Sequence, residues 1–342
     1  MTLSSGSKGF LVLLVLIVAL TGTALWRLRA PLEPVPAAGP SVTVSIPQGT
    51  GISEIGDLLQ DQGLIRSSMA FAILARLQGT VIQAGAYDVP RGAGLNEVLD
   101  VLAAGPPPPP GFTVTIPEGL TVEQTLARIA GAEGSPFTID DLRAALASIA
   151  VPEWVPIGSM PANAQPFEGL LFPNTYEFRL DASPQDVLTR LVRETDEVMG
   201  SIMRSSPGRE PYETLILASL VEREARLAEE RPRISAVIHN RLEEGQRLQI
   251  DATVLYALGE QKDRVLRSDL EVDSAWNTYR NPGLPPTPIS GVGEASIRAA
   301  AHPSDEDFLY YVVEPDTGRH RFSRTFAEHQ QAIADIRRQQ GS

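Results

Sequence analysis

The chain has 342 residues, 43% of them hydrophobic and 21% charged, which is typical of a folded globular protein long enough for more than one domain. Its net charge of −13 argues against a nucleic-acid partner, because an acidic protein repels a phosphate backbone. The absence of cysteine excludes disulfides, zinc–thiolate sites and thiol catalysis, and the four histidines show no metal-binding spacing, so we predict no metal site.

The first predicted element is a membrane-spanning helix. Residues 9–26, GFLVLLVLIVALTGTALW, contain no charge and have basic residues on both sides. At about 1.5 Å per residue, a helix of this length spans roughly 27 Å, close to the thickness of a bilayer core. A cleaved signal peptide is the alternative, since a short Gly-Thr-Ala stretch resembles a cleavage site. We predict a cytoplasmic N-terminus at 1–8, a retained transmembrane helix at 9–26 and a Pro-rich linker at 27–41.

The next part, residues 42–105, lies between this linker and a proline run, GPPPPPG, at 105–111. An apolar residue followed by Pro-X-Gly occurs three times, at 46–49, 89–92 and 116–119. Apolar residues at helical spacing follow each copy, so we predict a repeated unit of strand, turn and helix. Small βα units can bind carbohydrate, and residues 42–105 resemble a LysM-like domain. The alternative is a scaffold that reuses the unit without binding glycan.

Helical and extended patterns mix in the remaining chain, residues 112–342. Long helical patterns occupy 184–203 and 213–230, and the second is predicted to stop at Pro232. Near the end, FLYYVV and HRFSRT are predicted to pair as a hairpin across an Asp-Thr-Gly turn, before a C-terminal helix at 325–339. Strands and helices follow one another without a regular βαβ rhythm, which predicts an α+β fold.

The predicted helix 213–230 contains the sequence VERE, in which Glu222 and Glu224 are two positions apart. On a helical wheel, Glu224 falls in the middle of the apolar face, near Leu217 and Leu220. Glu222 falls roughly 160° away, where Arg226 is available as a partner one turn later. The wheel therefore predicts a solvated face for three other glutamates of the segment: Glu222, Glu229 and Glu230.

A carboxyl group on a core-facing position has a raised pKa, because burial disfavours its charged form. General acid catalysis of glycoside cleavage needs such a group near neutral pH. Glu224 is therefore a candidate catalytic acid. Two alternatives remain open at this point. The helix face could curve out to solvent, or Glu224 could form a buried ion pair with a nearby arginine: Arg223, Arg233 or Arg241.

Several longer segments occur in a fixed order along the second half of the chain. They are ASLVEREA with the following ER (218–231), HNRL (239–242), RLQIDATVLYALG (247–259), NTYRNPGLPPTPI (277–289) and AAAHP (299–303). Together they resemble the MltG/YceG-like endolytic murein transglycosylases. EGLLFPNTYEF and HRFSRTFAEH also match segments of that family, and the resemblance covers roughly residues 42–335 together with the membrane anchor.

This resemblance implies an α+β catalytic domain at 112–342 and a LysM-like subdomain at 42–105, both outside the inner membrane and attached to it by a single-pass anchor. It implies cleavage within nascent peptidoglycan glycan strands in the periplasm, limiting strand length beside the peptidoglycan synthases (penicillin-binding proteins). The partners are then glycan strands, the membrane and possible synthases. No cofactor is required, because a lytic transglycosylase uses the sugar's own hydroxyl as nucleophile.

The resemblance also assigns site residues. The second glutamate of the family's VExE motif is catalytic, which corresponds to Glu224. We further predict that four polar residues hydrogen-bond the sugars or orient Glu224: Gln249, Asp251, Asn277 and Tyr279. The alternative for Asp251 is an N-cap of a helix at 252–258. Where the family usually has Pro-Asp-Thr, this chain has Asn174, which keeps a turn but loses a charge.

Three functions from different classes fit the sequence. The first is a lytic transglycosylase in which Glu224 alone acts as acid and then base. The second is a hydrolytic muramidase, in which Asp251 or Glu222 activates a water molecule, as in glycosidases with paired carboxyls. The third is a membrane-anchored peptidoglycan-binding scaffold without activity.

Overall fold

The computed structural model describes residues 33–36, 39–107, 110–206, 210–260, 262 and 265–340. The predicted transmembrane segment 9–26 lies outside these residues. Among the residues described, no helix has both the length and the apolar composition needed to cross a membrane. The chain divides into two compact units, with the boundary between Pro109 and Pro110.

The described residues of the N-terminal unit form a two-stranded antiparallel sheet and three helices. Its elements are β1 (Val42–Ile46), α1 (Ile52–Asp61), α2 (Ser68–Leu77), β2 (Gly85–Val89) and α3 (Leu95–Ala103). In the sheet Val42 lies opposite Val89 and Ile46 opposite Gly85. Alternate strand residues, including Val44 and Tyr87, are fully buried against the helices and form a core of their own.

The Pro-X-Gly repeats are confirmed as turns between a strand and a helix. Their glycines, Gly49, Gly92 and Gly119, have φ angles of 84°, 78° and 80°. These values lie in the left-handed region, where a Cβ atom is disfavoured and glycine is the default residue. Two copies supply the paired strands of the N-terminal unit, whereas the third opens the C-terminal unit. Whether residues 42–105 bind glycan stays a prediction.

In its described residues the C-terminal unit mixes helices with two separate antiparallel pairs of strands, so the mixed α+β prediction is confirmed. Its elements are β3 (Gly111–Thr115), α4 (Val122–Ala130), α5 (Ile139–Leu146), β4 (Thr175–Arg179), α6 (Pro184–Met203), α7 (Pro211–Glu224), α8 (Arg231–Glu243), α9 (Asp251–Leu258), α10 (Glu294–Ala301), β5 (Tyr310–Val313), β6 (His320–Ser323) and α11 (Phe326–Gln340). Strand β3 pairs with β4, and β5 pairs with β6 as predicted.

Helix α7 is the central element of this unit. From Thr214 to Val221 every side chain is buried, and the helix contacts α8, α9 and α10. A helix that is covered on all sides has no solvated face, unlike the amphipathic helix that the sequence predicts here. Its last residue, Glu224, is therefore where this buried helix ends and becomes partly exposed to solvent.

The predicted extent of this helix, to residue 230, is wrong. Helix α7 ends at Glu224, and Ala225 takes an extended backbone conformation with φ −72° and ψ 121°. A 3₁₀ turn at Ala228–Glu230 then leads directly into α8. Pro232 does not stop a helix but stands in the first turn of α8, where the missing N–H of proline costs no hydrogen bond.

Candidate active site

Glu224 lies half-buried at the C-terminal end of α7. Its Oε2 atom accepts a hydrogen bond of 2.8 Å from the hydroxyl of Tyr311, which is on β5. Both residues line a polar pocket of about 480 Å³. The pocket walls come from the end of α7, from α8, from the start of α9, and from the hairpin β5–β6 with α11 behind it.

Three of the four predicted sugar-contacting residues line this pocket together with Glu224: Gln249, Asp251 and Tyr279. The hydroxyl of Tyr279 donates a hydrogen bond of 2.6 Å to Oδ1 of Asp251. Asp251 is the first residue of α9, but the N-cap is Ile250 and no side chain caps the helix. The N-cap alternative for Asp251 is therefore wrong, and its carboxylate faces the pocket instead.

Gln249 has an unusual backbone. Its φ of 53° makes it the one residue other than glycine with a positive φ in the described part of the chain. Left-handed backbone at a residue with a Cβ costs free energy and tends to occur at functional sites. Here the backbone N–H donates to the carbonyl of Thr278 at 3.2 Å. This bond ties the segment before α9 to the loop that carries Tyr279.

Asn277 does not line the pocket, and its predicted role in contacting sugars or orienting Glu224 stays a prediction. It is fully buried. Its Nδ2 donates to the carbonyls of Leu270 and Val272, both at 2.9 Å, and its Oδ1 accepts from the backbone N–H of Tyr279 at 3.0 Å. Because all these partners are in its own loop, Asn277 fixes the loop that presents Tyr279.

The surroundings of Glu224 favour its protonated form. Burial raises the pKa of its carboxyl and is the largest effect; the hydrogen bond from Tyr311 lowers the pKa, and the charge of Asp251 raises it again. His320 and Arg223 lower it by smaller amounts. The C-terminal end of a helix carries a partial negative charge, which also disfavours a carboxylate at this position. The net result is a raised pKa, as an acid catalyst needs.

The tyrosines of the pocket remain hydrogen-bond donors. Burial raises the pKa of Tyr311 far above that of a free phenol, and the charge of Glu224 adds to this effect. Burial likewise raises the pKa of Tyr279, helped by its bond to Asp251. Both hydroxyls therefore stay protonated over the physiological range and donate to the two carboxyl groups of the pocket.

A family model described as the YceG-like family matches residues 44–335. The chain belongs to the YceG-like family. It is 34% identical over 316 residues to an endolytic murein transglycosylase of Bacillus subtilis (strain 168), a match that covers 88% of this chain and 86% of the relative. A crystal structure of a YceG-like protein from Listeria monocytogenes is 32% identical, with a TM-score of 0.59, and the match covers 86% of this chain and 100% of that one.

A further relative is longer than this YceG-like protein. The endolytic murein transglycosylase of Streptococcus pneumoniae serotype 2 (strain D39) is 27% identical over 320 residues, which cover 86% of this chain but 58% of the relative. The chain thus spans less than two thirds of the pneumococcal protein.

Glu222 is not on a solvated face, so that prediction is wrong. Its side chain is 6% exposed, its Oε1 lies 3.2 Å from the guanidinium of Arg231, and its Oε2 accepts from the backbone N–H of Gly293 at 3.1 Å. Arg231 also donates to Ser296 at 3.0 Å. The wheel missed this because α7 ends before Arg226, and the true partners come from α8 and α10. Glu222 joins three helices and does not line the pocket.

Glu230 is likewise buried, contrary to the prediction, whereas Glu229 is exposed and pairs with Arg319 at 3.1 Å as a surface residue does. Oε1 of Glu230 accepts from the backbone N–H of His320 at 2.9 Å, and Oε2 lies 2.7 Å from its Nδ1. This bidentate contact fixes the His320 ring, which lines the pocket and lies edge-on to Tyr311 with ring centroids 5.4 Å apart.

Tyr311 and His320 line the pocket but are not among the site residues that the sequence predicts. The hairpin pattern predicts their strands correctly and assigns neither residue a chemical role. One usable signal exists in the sequence: FLYYVV and HRFSRT put several aromatic and titratable side chains on two short strands. Within the described residues, no cluster of three His, Asp or Glu side chains is arranged to hold a metal ion.

Asn174 lies in the turn before β4, away from the pocket. Its Nδ2 donates to Glu194 at 2.7 Å, and its Oδ1 accepts from the backbone N–H of Thr175 at 2.8 Å. An aspartate could accept from Thr175 but could not donate to Glu194. The amide at this position therefore closes the turn and binds α6, and it has no acid–base role.

Proposed function

We propose that this YceG-like protein is a lytic transglycosylase that cleaves peptidoglycan glycan strands internally, with Glu224 as the catalytic acid and base. The observation that carries the proposal is the half-buried Glu224 at the edge of a polar pocket, with its pKa raised by burial and a phenol donating to one carboxyl oxygen. The names of the relatives in Bacillus subtilis and Streptococcus pneumoniae support the same substrate.

In the first step, protonated Glu224 gives its proton to the glycosidic oxygen between C1 of MurNAc and the following GlcNAc. The C1–O bond breaks, the GlcNAc part leaves with a hydroxyl, and positive charge develops at C1. Tyr311 donates to Oε2, which favours the acidic proton on the other oxygen, Oε1. The same hydrogen bond stabilises the carboxylate that forms as the proton leaves.

In the second step, the Glu224 carboxylate accepts the proton of the MurNAc C6 hydroxyl while that oxygen bonds to C1. The product is a strand ending in 1,6-anhydro-MurNAc, and Glu224 is again protonated. All atoms of the substrate appear in the two products, so no water is consumed. Asp251 and Tyr279, bonded to each other on the pocket wall, are placed to bind the sugar hydroxyls or the charge at C1.

One observation favours a second candidate, a hydrolytic muramidase. Asp251 and Glu224 share the pocket, and paired carboxyls are the usual equipment of hydrolytic glycosidases. In that reaction Asp251 would activate a water molecule. Glu222, the other candidate for this role, is engaged by Arg231 and Gly293 and has no access to the pocket.

The cellular role follows as part of the proposal. The apolar segment 9–26 would anchor the protein in the inner membrane, with the pocket in the periplasm. At that place it would act on nascent strands beside the peptidoglycan synthases and end their elongation. A topology reporter fused after residue 340 tests the location, and a cytoplasmic signal refutes it.

The activity is tested by digesting uncrosslinked glycan strands and identifying the new ends by mass spectrometry. Anhydro ends are the expected product, reducing ends would indicate the muramidase, and intact strands would leave a binding scaffold. Glu224→Gln should lower the rate about 10²- to 10⁴-fold, the usual contribution of an acid–base catalyst. Glu229→Gln is the matched control, because this glutamate is exposed and does not line the pocket. Equal loss in both variants would contradict the assignment of Glu224.

A further inference from the structure

A second pocket, of about 360 Å³, shares Arg223 with the active-site pocket. Helix α9 contributes to both: Asp251, its first residue, lines the active-site pocket, whereas Leu255 and Tyr256, one turn later, line the second pocket. The two pockets are therefore neighbours on the same unit, joined at the residue next to the catalytic acid.

Most of the exposed area in the second pocket is apolar and belongs to Val122, Ala252, Leu255, Tyr256 and Ile289. The polar and charged residues that also line it are Thr121, Glu123, Gln124, Gln165, Glu168, Arg223 and Glu260. The Tyr256 hydroxyl is already engaged, because it donates to Oε2 of Glu168 at 3.1 Å. A sugar ring needs many hydrogen-bonding partners, and the apolar part of the wall offers few. Small apolar groups such as methyl side chains fit it better.

Arg223 supplies a positive charge at the entrance. Its Nη1 donates to the carbonyl of Gly119 at 3.0 Å, which holds the side chain in place. Within the described part of the chain no carboxylate forms an ion pair with this guanidinium. A fixed guanidinium with unused N–H groups is suited to a carboxylate, which it binds through two parallel hydrogen bonds.

Glu168 forms the base of the pocket and is 3% exposed. Its Oε1 accepts from the backbone N–H of Val122 at 3.1 Å. Burial raises the pKa of this carboxyl to about 8, so near neutral pH it is mostly uncharged. The base of the pocket therefore does not repel an acidic ligand, and Arg223 attracts one. The other two carboxylates of the lining are already paired with cations, Glu123 with Arg143 and Glu260 with Lys262, both at 2.7 Å.

We propose that the second pocket binds the peptide stem of the substrate, an acidic, alanine-containing peptide, with its carboxylate on Arg223 and its methyl groups against Leu255 and Val122. This inference rests on the proposed function. The stem branches from the lactyl group of the same MurNAc whose C1 reacts at Glu224, so it must leave the active-site pocket close to the catalytic residue. The second pocket begins at the adjacent residue, Arg223.

The test compares two forms of one substrate: uncrosslinked glycan strands with their stems, and the same strands after an amidase has removed the stems. The full-length protein should cleave the stem-bearing form with the higher kcat/KM. Leu255→Trp fills the pocket and should lower kcat/KM about tenfold on stem-bearing strands, the loss of one well-packed subsite contact, without changing it on bare strands. Leu255→Met keeps the side-chain volume and should match the parent on both.

Two outcomes overturn the inference. Equal kcat/KM of the parent on both substrates means that the stem is not recognised. An equal loss on both substrates in Leu255→Trp means that the pocket holds a sugar of the strand or supports the fold. Thermal unfolding of both Leu255 variants distinguishes these last two explanations, since a damaged fold lowers the Tm together with the rate and a lost sugar contact lowers the rate alone.

A binding measurement separates this inference from the proposed function. The soluble, acidic dipeptide L-Ala-γ-D-Glu is titrated calorimetrically into the full-length Glu224→Gln protein, alone and combined with Leu255→Trp or Leu255→Met. Binding that is lost only with Leu255→Trp supports the subsite even if no strand is ever cleaved. Strand cleavage without any dipeptide binding supports the proposed function and overturns the subsite.

Discussion

The hydrogen bond from Tyr311 to Glu224 gives a quantitative test of the acid–base role. Tyr311→Phe removes the hydroxyl that donates to Oε2 at 2.8 Å and keeps the ring. Because this bond stabilises the carboxylate, it lowers the pKa of Glu224, and its loss raises that pKa further. A hydrogen bond to a charged group contributes about 1.5–3 kcal/mol, so the pKa should rise by roughly one to two units.

The effect on activity has two parts with a defined sign. Proton donation needs the protonated acid, so activity falls as pH rises through the pKa of Glu224. Tyr311→Phe should therefore move the alkaline limb of the kcat/KM profile to higher pH, by the same roughly one to two units. At its maximum the rate should fall about 10- to 100-fold, because the carboxylate formed by proton transfer has lost its donor.

The assay is the initial rate of formation of new strand ends from uncrosslinked glycan, from about pH 4 to about pH 9. Tyr310→Phe is the matched control: it makes the same change on the same strand, but the Tyr310 ring stacks on His329 with centroids 5.3 Å apart and does not bond Glu224. The role of Tyr311 is refuted if, in Tyr311→Phe, the alkaline limb of the kcat/KM profile moves to lower pH, or if the rate falls while this limb stays at the same pH.

Two further predictions concern stability. Burial raises the pKa of Glu168 from 4.5 to about 8, so its contribution to stability is complete below about pH 4.5 and is lost as pH rises toward 8. In urea unfolding, the free energy of unfolding of the parent should therefore fall over this range, and Glu168→Gln should remove up to about 1.4 kcal/mol per pH unit of that fall. The same dependence on pH in the variant and the parent would contradict the burial argument. Arg231→Met leaves buried Glu222 without its cation and should lower the free energy of unfolding by about 3–5 kcal/mol. Arg319→Met, at the exposed pair with Glu229, should lower it by less than about 1 kcal/mol. Similar losses in denaturant unfolding would show that burial does not determine the strength of these ion pairs.

The sequence singled out Glu224 for a reason that is only partly correct. The helical wheel assumed an amphipathic helix to residue 230, but α7 is buried on all sides and ends at Glu224. The property that brings this carboxyl to a pocket is its place at the end of a core helix. Periodicity cannot locate that end, because alanine is the strongest helix former, yet the backbone of Ala225 is extended. The catalytic role of Glu224 stays a prediction.

Local chemistry made other parts of the fold predictable. Pro-X-Gly requires a left-handed glycine after a strand, and all three copies became strand–turn–helix units. The hairpin β5–β6 followed from two short apolar strands around Asp-Thr-Gly. In contrast, the partners of Glu222 and Glu230 could not be predicted. Gly293 and His320 lie 71 and 90 residues further along the chain, and no local pattern records such contacts.

The order of these residues along the chain has a consequence for biosynthesis. Glu224 is made 87 residues before Tyr311, the donor that sets its protonation, and His320 comes later still. A nascent or truncated chain therefore carries the acid in an open, unfinished pocket. The complete site appears only once the hairpin β5–β6 has been made, and a chain interrupted between Glu224 and that hairpin carries the proposed acid without its donor.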